Sequence, residues 1–144
     1  MINFFNEDIS FSFRGKRARS KWIKEVIATN SPQKRIGDIN IVFCSDDYML
    51  NANNQFLKHN YYTDIITFDY TQLDTISGDL LISIDTVKSN AIEYNSTFDL
   101  ELHRVIIHGI LHLLGFNDST HKESLLMRKA EDKALFASGF FDKI

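Results

Sequence analysis

The sequence predicts one α+β domain, a small mixed sheet of about four strands packed with four to five helices. Three observations predict it. At 144 residues the chain has the length of a single domain, and folding at that length buries roughly 70% of the surface an extended chain exposes. Hydrophobic residues make up 44% and charged residues 24%, a globular balance that excludes disorder and a membrane-embedded class. Short β-branched runs interleave with longer stretches of helical period, the arrangement expected of helices lying on a sheet.

Each element carries its own signal. Ile2 to Phe13 mixes apolar and polar residues with several aromatics and reads as one or two short strands. Ala18 to Thr29 reads as a first helix, closed by Asn30-Ser31-Pro32 because proline cannot continue a helix and restricts the residue before it. Gly37 to Phe43 alternates, with Ile39, Ile41 and Phe43 on one side. A second helix follows from about Asp46 to Leu57, with Ser45 placed to cap its free amides. Asp64 to Phe68 and Leu80 to Ile84 are β-branched or aliphatic and read as two more strands, joined through Asp74, Ser77 and Gly78. Asp85 to Tyr94 is a third helix. Ser96 or Thr97 begins a fourth that runs to Leu114, with Asp99 and Glu101 in its first turn and Gly115 behind its last apolar residue. Thr120 and Glu123 form a capping-box pattern for a last helix to about Ser138, with Leu126, Ala130, Ala134 and Ala137 at helical spacing and Gly139 after it. No repeat, linker or low-complexity stretch divides the chain, so residues 1–144 read as one domain.

Composition also bounds the setting. No run approaches the ~18 consecutive apolar residues of a membrane span, and the N-terminus lacks a basic flank, an apolar block and a cleavage site. The single Cys44 cannot form an internal disulfide and falls in the apolar run Ile39 to Cys44, which suits a buried core thiol. Together these point to a cytoplasmic protein with no membrane partner. The net charge of −3 is unevenly spread. Arg14, Lys16, Arg17, Arg19, Lys21 and Lys24 lie in one stretch without an acid, so the rest of the chain carries about −9 once these six positive charges are set aside. Positive charge at the start of a helix opposes the dipole, so helix stability does not explain the run. With Trp22 inside it, the run suits single-stranded nucleic acid, which offers phosphates and stackable bases. An ordinary solvated face is the commoner reading of such a stretch.

The segment with chemistry in it is His108-Gly109-Ile110-Leu111-His112-Leu113-Leu114-Gly115-Phe116-Asn117-Asp118. Residues four apart on a helix are roughly 40° apart around the axis and about 6 Å along it, so the two imidazoles share a face. The helix around them is apolar on nearly every side, and burying two imidazoles without partners is costly. A metal ion is the natural partner: imidazole suits zinc, and a catalytic zinc takes three protein ligands and leaves a position open. Gly115 permits a sharp turn that returns the chain toward the histidines. By the ten-residue spacing of His-x-x-x-His-x-x-Gly-x-x-ligand sites the third ligand is Asp118, with His121 completing or replacing it. The residue after His108 is Gly109, where a zincin peptidase carries its glutamate base.

Arg104 to Phe116 closely resembles the signature of the YbeY family of bacterial endoribonucleases and ribosomal RNA maturation factors. Leu50-Asn51, Thr63-Asp64-Ile65-Ile66-Thr67-Phe68 and Gly78-Asp79-Leu80-Leu81-Ile82-Ser83 stand in that family's order. The resemblance implies a metal-dependent, single-strand-directed RNA hydrolase acting in rRNA maturation and ribosome quality control, with precursor ribosomal RNA, the ribosome or ribosomal proteins as partners. It implies His108 and His112 as metal ligands. The family's third ligand is a His directly after an Asp, and this sequence has Asn117-Asp118 there. The family's arginine before Thr-Asp aligns with Leu57, which leaves the neighbouring Lys58, with His59, to offset charge on the phosphate in catalysis. Two other readings are a minimal zinc metallopeptidase, which Gly109 opposes, and a non-enzymatic ribosome-assembly factor with a structural metal.

Overall fold

The structure, a computed structural model, describes residues 1–57 and 63–142. Among them the elements follow in the order β1 (Ile2–Asn6), α1 (Lys16–Asn30), β2 (Arg35–Cys44), α2 (Asp46–Leu57), β3 (Ile65–Asp69), β4 (Thr75–Ser83), α3 (Ile84–Glu93), α4 (Phe98–Leu113) and α5 (His121–Ser138). The strands form one mixed sheet in the order β1-β2-β4-β3, in which β1, β2 and β4 run parallel and β3 runs antiparallel to β4. This is the α+β architecture that the sequence predicts.

Strand alternation divides the two faces of the sheet. Ile39, Ile41, Phe43, Leu80 and Ile82 point into the main core, where Ile23 and Ile27 of α1, Val87 of α3, Ile106, Ile107 and Ile110 of α4 and Leu135 of α5 meet them. The opposite face carries a smaller core in which Met49 and Ala52 of α2 pack on Cys44 and Ile66. Beyond α2 that face is polar: Asn3 Nδ2 donates to Asn40 Oδ1 at 3.0 Å, and Asn40 Nδ2 donates to Asp79 Oδ1 at 2.9 Å. The three residues stand directly opposite one another on β1, β2 and β4, so this ladder fixes strand register as the apolar face does.

The helix ends follow the caps in the sequence. Thr97 Oγ1 accepts from the Leu100 amide at 3.1 Å and opens α4, and Thr120 with Glu123 forms the complete capping box of α5. Gly139 closes α5 in the left-handed conformation.

Of the one or two strands expected over Ile2 to Phe13 one forms: beyond it Asn6 Nδ2 donates to the Phe11 carbonyl at 2.7 Å, and Phe11 and Phe13 turn inward onto Phe43. Two expectations are corrected. The line Leu126, Ala137 is not the inner face of α5. Leu126 is 53% exposed, and the buried line is Met127, Glu131, Ala134 and Leu135. Trp22 is no base-stacking platform, because it is 3% exposed and its indole N–H donates to the Ala134 carbonyl at 2.9 Å. Arg19 is likewise structural: its Nε donates to His103 Nε2 at 3.1 Å and its guanidinium lies 4.0 Å from the centre of the Phe140 ring.

Candidate metal centre

Helix α4 lies against β3 and β4, and Gly109 faces both strands. A Cβ added there would meet Ile65 Cδ1 at 2.7 Å and the two Leu80 methyls at 3.0 Å. The neighbours one step back and three steps on, His108 and His112, therefore emerge beside the sheet edge at β3. Their ring centroids are 4.6 Å apart and their Nε2 atoms face each other at 3.0 Å. Gly115, at φ +100°, reverses the chain after α4, and the Phe116 amide donates back to the Leu111 carbonyl at 3.0 Å. That turn brings Asp118 Oδ2 to 3.3 Å from His108 Nε2 and 3.5 Å from His112 Nε2. Among the described residues His108, His112 and Asp118 are the group whose ligand atoms converge, all within 4.8 Å of one another. His121 is exposed at the first position of α5 and is not part of the group. Lys58 and His59 lie outside the described residues.

The two histidines are half-buried rather than sealed, with side chains 24% and 27% exposed. They form a wall of a cleft of about 550 Å³, whose other lining includes Asn53, Thr63, Asp64, Thr67 and Asp69. A second lobe shares Asp64, Ile65, His108 and Asp118 with the first and continues between α4 and α5.

Glu131 of α5 sets the proton on His108. Its Oε2 lies 2.7 Å from His108 Nδ1 and can only accept, so Nδ1 carries hydrogen and the Nε2 lone pair turns toward His112 and Asp118. Glu131 is 4% exposed and is itself held by Arg104 Nη1 at 3.0 Å, while Arg104 Nη2 reaches Asp132 at 2.8 Å. Burial pulls the His108 pKa down, but the Glu131 hydrogen bond and the charges of Glu131, Asp118 and Asp64 outweigh it and hold the pKa above its ordinary value. Burial pushes the Asp64 carboxyl up, partly offset by His108.

Two imidazole nitrogens and a carboxylate oxygen make a donor set suited to zinc and similar ions. Tetrahedral bonds of about 2.0–2.1 Å separate two ligand nitrogens by about 3.3 Å, close to the 3.0 Å found here. The residues fit a metal ion.

Comparison with known proteins agrees with this geometry. A family profile described as Endoribonuclease YbeY matches residues 1–139. The chain belongs to that family. It is 53% identical over 135 residues to "Endoribonuclease YbeY" of Phocaeicola vulgatus, covering 94% of this chain and 96% of that one. The protein of the same description from Porphyromonas gingivalis is 52% identical over 134 residues, covering 93% and 87%. A solution structure of a Thermotoga maritima protein superposes with a TM-score of 0.67 at 27% identity, covering 96% of this chain and 89% of the other.

Sequence reasoning missed Glu131, Asp64 and Arg104. Glu131 had a visible trace, an acid four residues after Met127 and three before Ala134, where an amphipathic helix places an apolar residue. Asp64 was read as the start of a strand, and only the packing of β3 against α4 turns it to the cleft.

Proposed function

We propose that this YbeY-family chain is a metal-dependent endoribonuclease that hydrolyses single-stranded RNA, precursor ribosomal RNA in particular, with a zinc-like ion held by His108, His112 and Asp118. The observation that carries the reading is the convergence of those three donors in an open cleft, with the His108 tautomer fixed by a buried Glu131. Family membership supports RNA as substrate, and single-strand direction and a place in ribosome maturation come with the same resemblance.

A metal bound there supplies a Lewis acid for a phosphoryl oxygen and lowers the pKa of a coordinated water. The protein's own groups do the rest. Glu131 keeps the His108 lone pair turned into the cleft and, through Arg104, ties α5 to α4. Asp64 lines both lobes with a carboxyl whose pKa burial has raised, which suits it to take a proton from the attacking water or 2′-hydroxyl. Lys58 and His59, in the chain between α2 and the cleft residue Thr63, are assigned the charge that develops on the phosphate. His121 is assigned no ligand role, since it stands apart from the group.

The peptidase reading is opposed by packing as well as by sequence. Position 109 faces the apolar side chains of Ile65 and Leu80, so a zincin glutamate there would bring its carboxylate against apolar groups of the sheet. The test is elemental analysis of the purified protein beside a cleavage assay on single-stranded RNA. About one transition metal per chain is expected, with cleavage lost in His112→Ala while that variant stays folded. A metal-loaded protein that leaves RNA intact would make the chain a non-enzymatic assembly factor, and peptide hydrolysis in its place would revive the peptidase.

A further inference from the structure

The second lobe of the cleft shares the wall that bears Asp64 and His108, but its far side, with Tyr94, Glu101 and Arg128, has no part in the chemistry above. It holds about 370 Å³ and meets the first lobe at Asp64, Ile65, His108 and Asp118. A strand whose reacting phosphate lies at His108 and Asp118 has room for a neighbouring nucleotide there. Tyr94, just past the end of α3, lines the lobe at 61% exposure, and among the described residues its ring and hydroxyl engage no partner. Arg128, whose side chain is 60% exposed, lines it from α5.

Glu101 also lines this lobe. Seven residues make nearly two turns, so it shares a face of α4 with His108. It is 7% exposed, yet among the described residues its carboxylate takes no hydrogen bond and no ion pair. Every sealed side-chain polar atom there has a partner, so the Glu101 oxygens are open to the lobe they line. Burial, and after it the charge of Asp64, raises its pKa. Arg104, one turn on, is committed to Glu131 and Asp132. A carboxylate largely withdrawn from bulk water and given no protein donor costs stability, and leucine would fill the position better unless a ligand brings the donor from the lobe.

We infer that the lobe is a nucleobase pocket beside the cleavage point, in which Tyr94 stacks on the base and the Glu101 carboxylate accepts the N–H groups of a guanine edge. The inference rests on the RNA reading of the cleft and adds a base preference to it. Phosphate does not suit the lobe, because Asp64, Glu101, Asp118 and Glu131 line it, while Arg104, Arg128 and His108 on the same wall are all engaged with Glu131. A neutral base does suit it. Guanine alone presents two adjacent donors, N1–H and the N2 amino group, to the two oxygens of a carboxylate. Adenine, cytosine and uracil each place an acceptor beside their donor, which a carboxylate repels.

The test uses the full chain loaded with zinc and short 2′-O-methyl phosphorothioate oligouridylates that resist cleavage, each carrying one guanine or one hypoxanthine at a scanned position. Hypoxanthine lacks only the N2 amino group. At one position guanine binds about tenfold more tightly than hypoxanthine by fluorescence anisotropy. Glu101→Gln erases that difference, and Tyr94→Ala weakens both by about tenfold because stacking is tolerant of base identity. Equal affinity for the two bases at every position of the unsubstituted protein, or no binding at any, overturns the inference however the variants fold. A difference that survives Glu101→Gln overturns it as well. Binding is the readout here, while the proposed function is decided by cleavage of unmodified RNA, so the two fail separately.

Discussion

At the scale of residues, the proton on His108 links metal binding to pH. A metal must displace any proton on Nε2, and the pKa of His108 is held above 6.5. Zinc affinity is therefore full above that raised pKa and is lost as pH falls through it, by about tenfold per unit for one displaced proton. Glu131→Gln removes the charge that raises the pKa. The break in a plot of zinc affinity against pH should move to lower pH, and affinity on the plateau should drop 10- to 100-fold, as for other residues that orient a ligand. Competition with a chromophoric chelator measures both. Asp118→Ala should weaken zinc binding more than His121→Ala, since Asp118 faces both Nε2 atoms and His121 stands outside the group. The reverse order would transfer the ligand role to His121. The legible part of this site was its local part: His108, His112, Gly115 and Asp118 fall within eleven residues of one another, so helix geometry and one turn suffice to relate them. Glu131 reaches His108 only because α5 packs back along α4, and no spacing encodes that.

Between elements, two glycines set how closely α4 approaches the sheet, and they differ in what a side chain would strike. At Gly78 a Cβ would lie 2.5 Å from the Phe68 carbonyl oxygen and 2.8 Å from Leu113 Cδ2, so backbone of the paired strand β3 must move. At Gly109 the contacts are the mobile ends of Ile65 and Leu80, and alanine also regains about 1 kcal/mol of helix propensity. Gly78→Ala should destabilise by about 1–3 kcal/mol, read by urea unfolding, whereas Gly109→Ala should be close to neutral. Equal costs would mean that strand and helix carry the constraint alike. Gly78 also explains why β4 was legible only from Leu80. Glycine followed by aspartate reads as a turn, yet Asp79 is paired with Asn40 on the polar face and Gly78 clears space for α4, so the strand starts at Thr75. The helices were legible to within a few residues because Thr97, Thr120, Glu123 and Gly139 act locally, as caps do.

Over the whole molecule, charge is sorted to the two sides of α4. His103 and His108 are five residues apart, about 140° around the helix, so the α1 side, where Arg19 meets His103, is turned away from the cleft. His103 holds that side together as a neutral ring. The Asp99 carbonyl accepts from Nδ1 at 2.7 Å and Arg19 donates to Nε2 at 3.1 Å, which leaves no place for a second proton. Burial lowers its pKa below 6.5, so the unfolded chain binds this proton first, and stability present above that value falls as pH drops beneath it. His108, Asp64 and Glu101, whose pKa values are raised, act with the opposite sign, so the fall is read as a difference: the stability that the parent holds over His103→Gln in thermal unfolding should shrink from pH 7 to pH 5. Arg19 therefore cannot be removed as a test of RNA binding without loosening α1 from α4, but Arg17 and Lys21 are exposed and can. Since they are exposed on α1, whose Arg19 meets the side of α4 turned away from the cleft, a strand that only fills the cleft is expected to miss them and one that wraps the domain to reach them. Each phosphate contact on a single strand contributes about −0.7 to the slope of log affinity against log salt. Arg17→Ala with Lys21→Ala should flatten that slope by up to about 1.4 for long single strands, as two contacts give, and leave it unchanged for oligonucleotides short enough to occupy the cleft alone. An unchanged slope at every length would make the basic run of α1 a solvated face and confine RNA to the cleft.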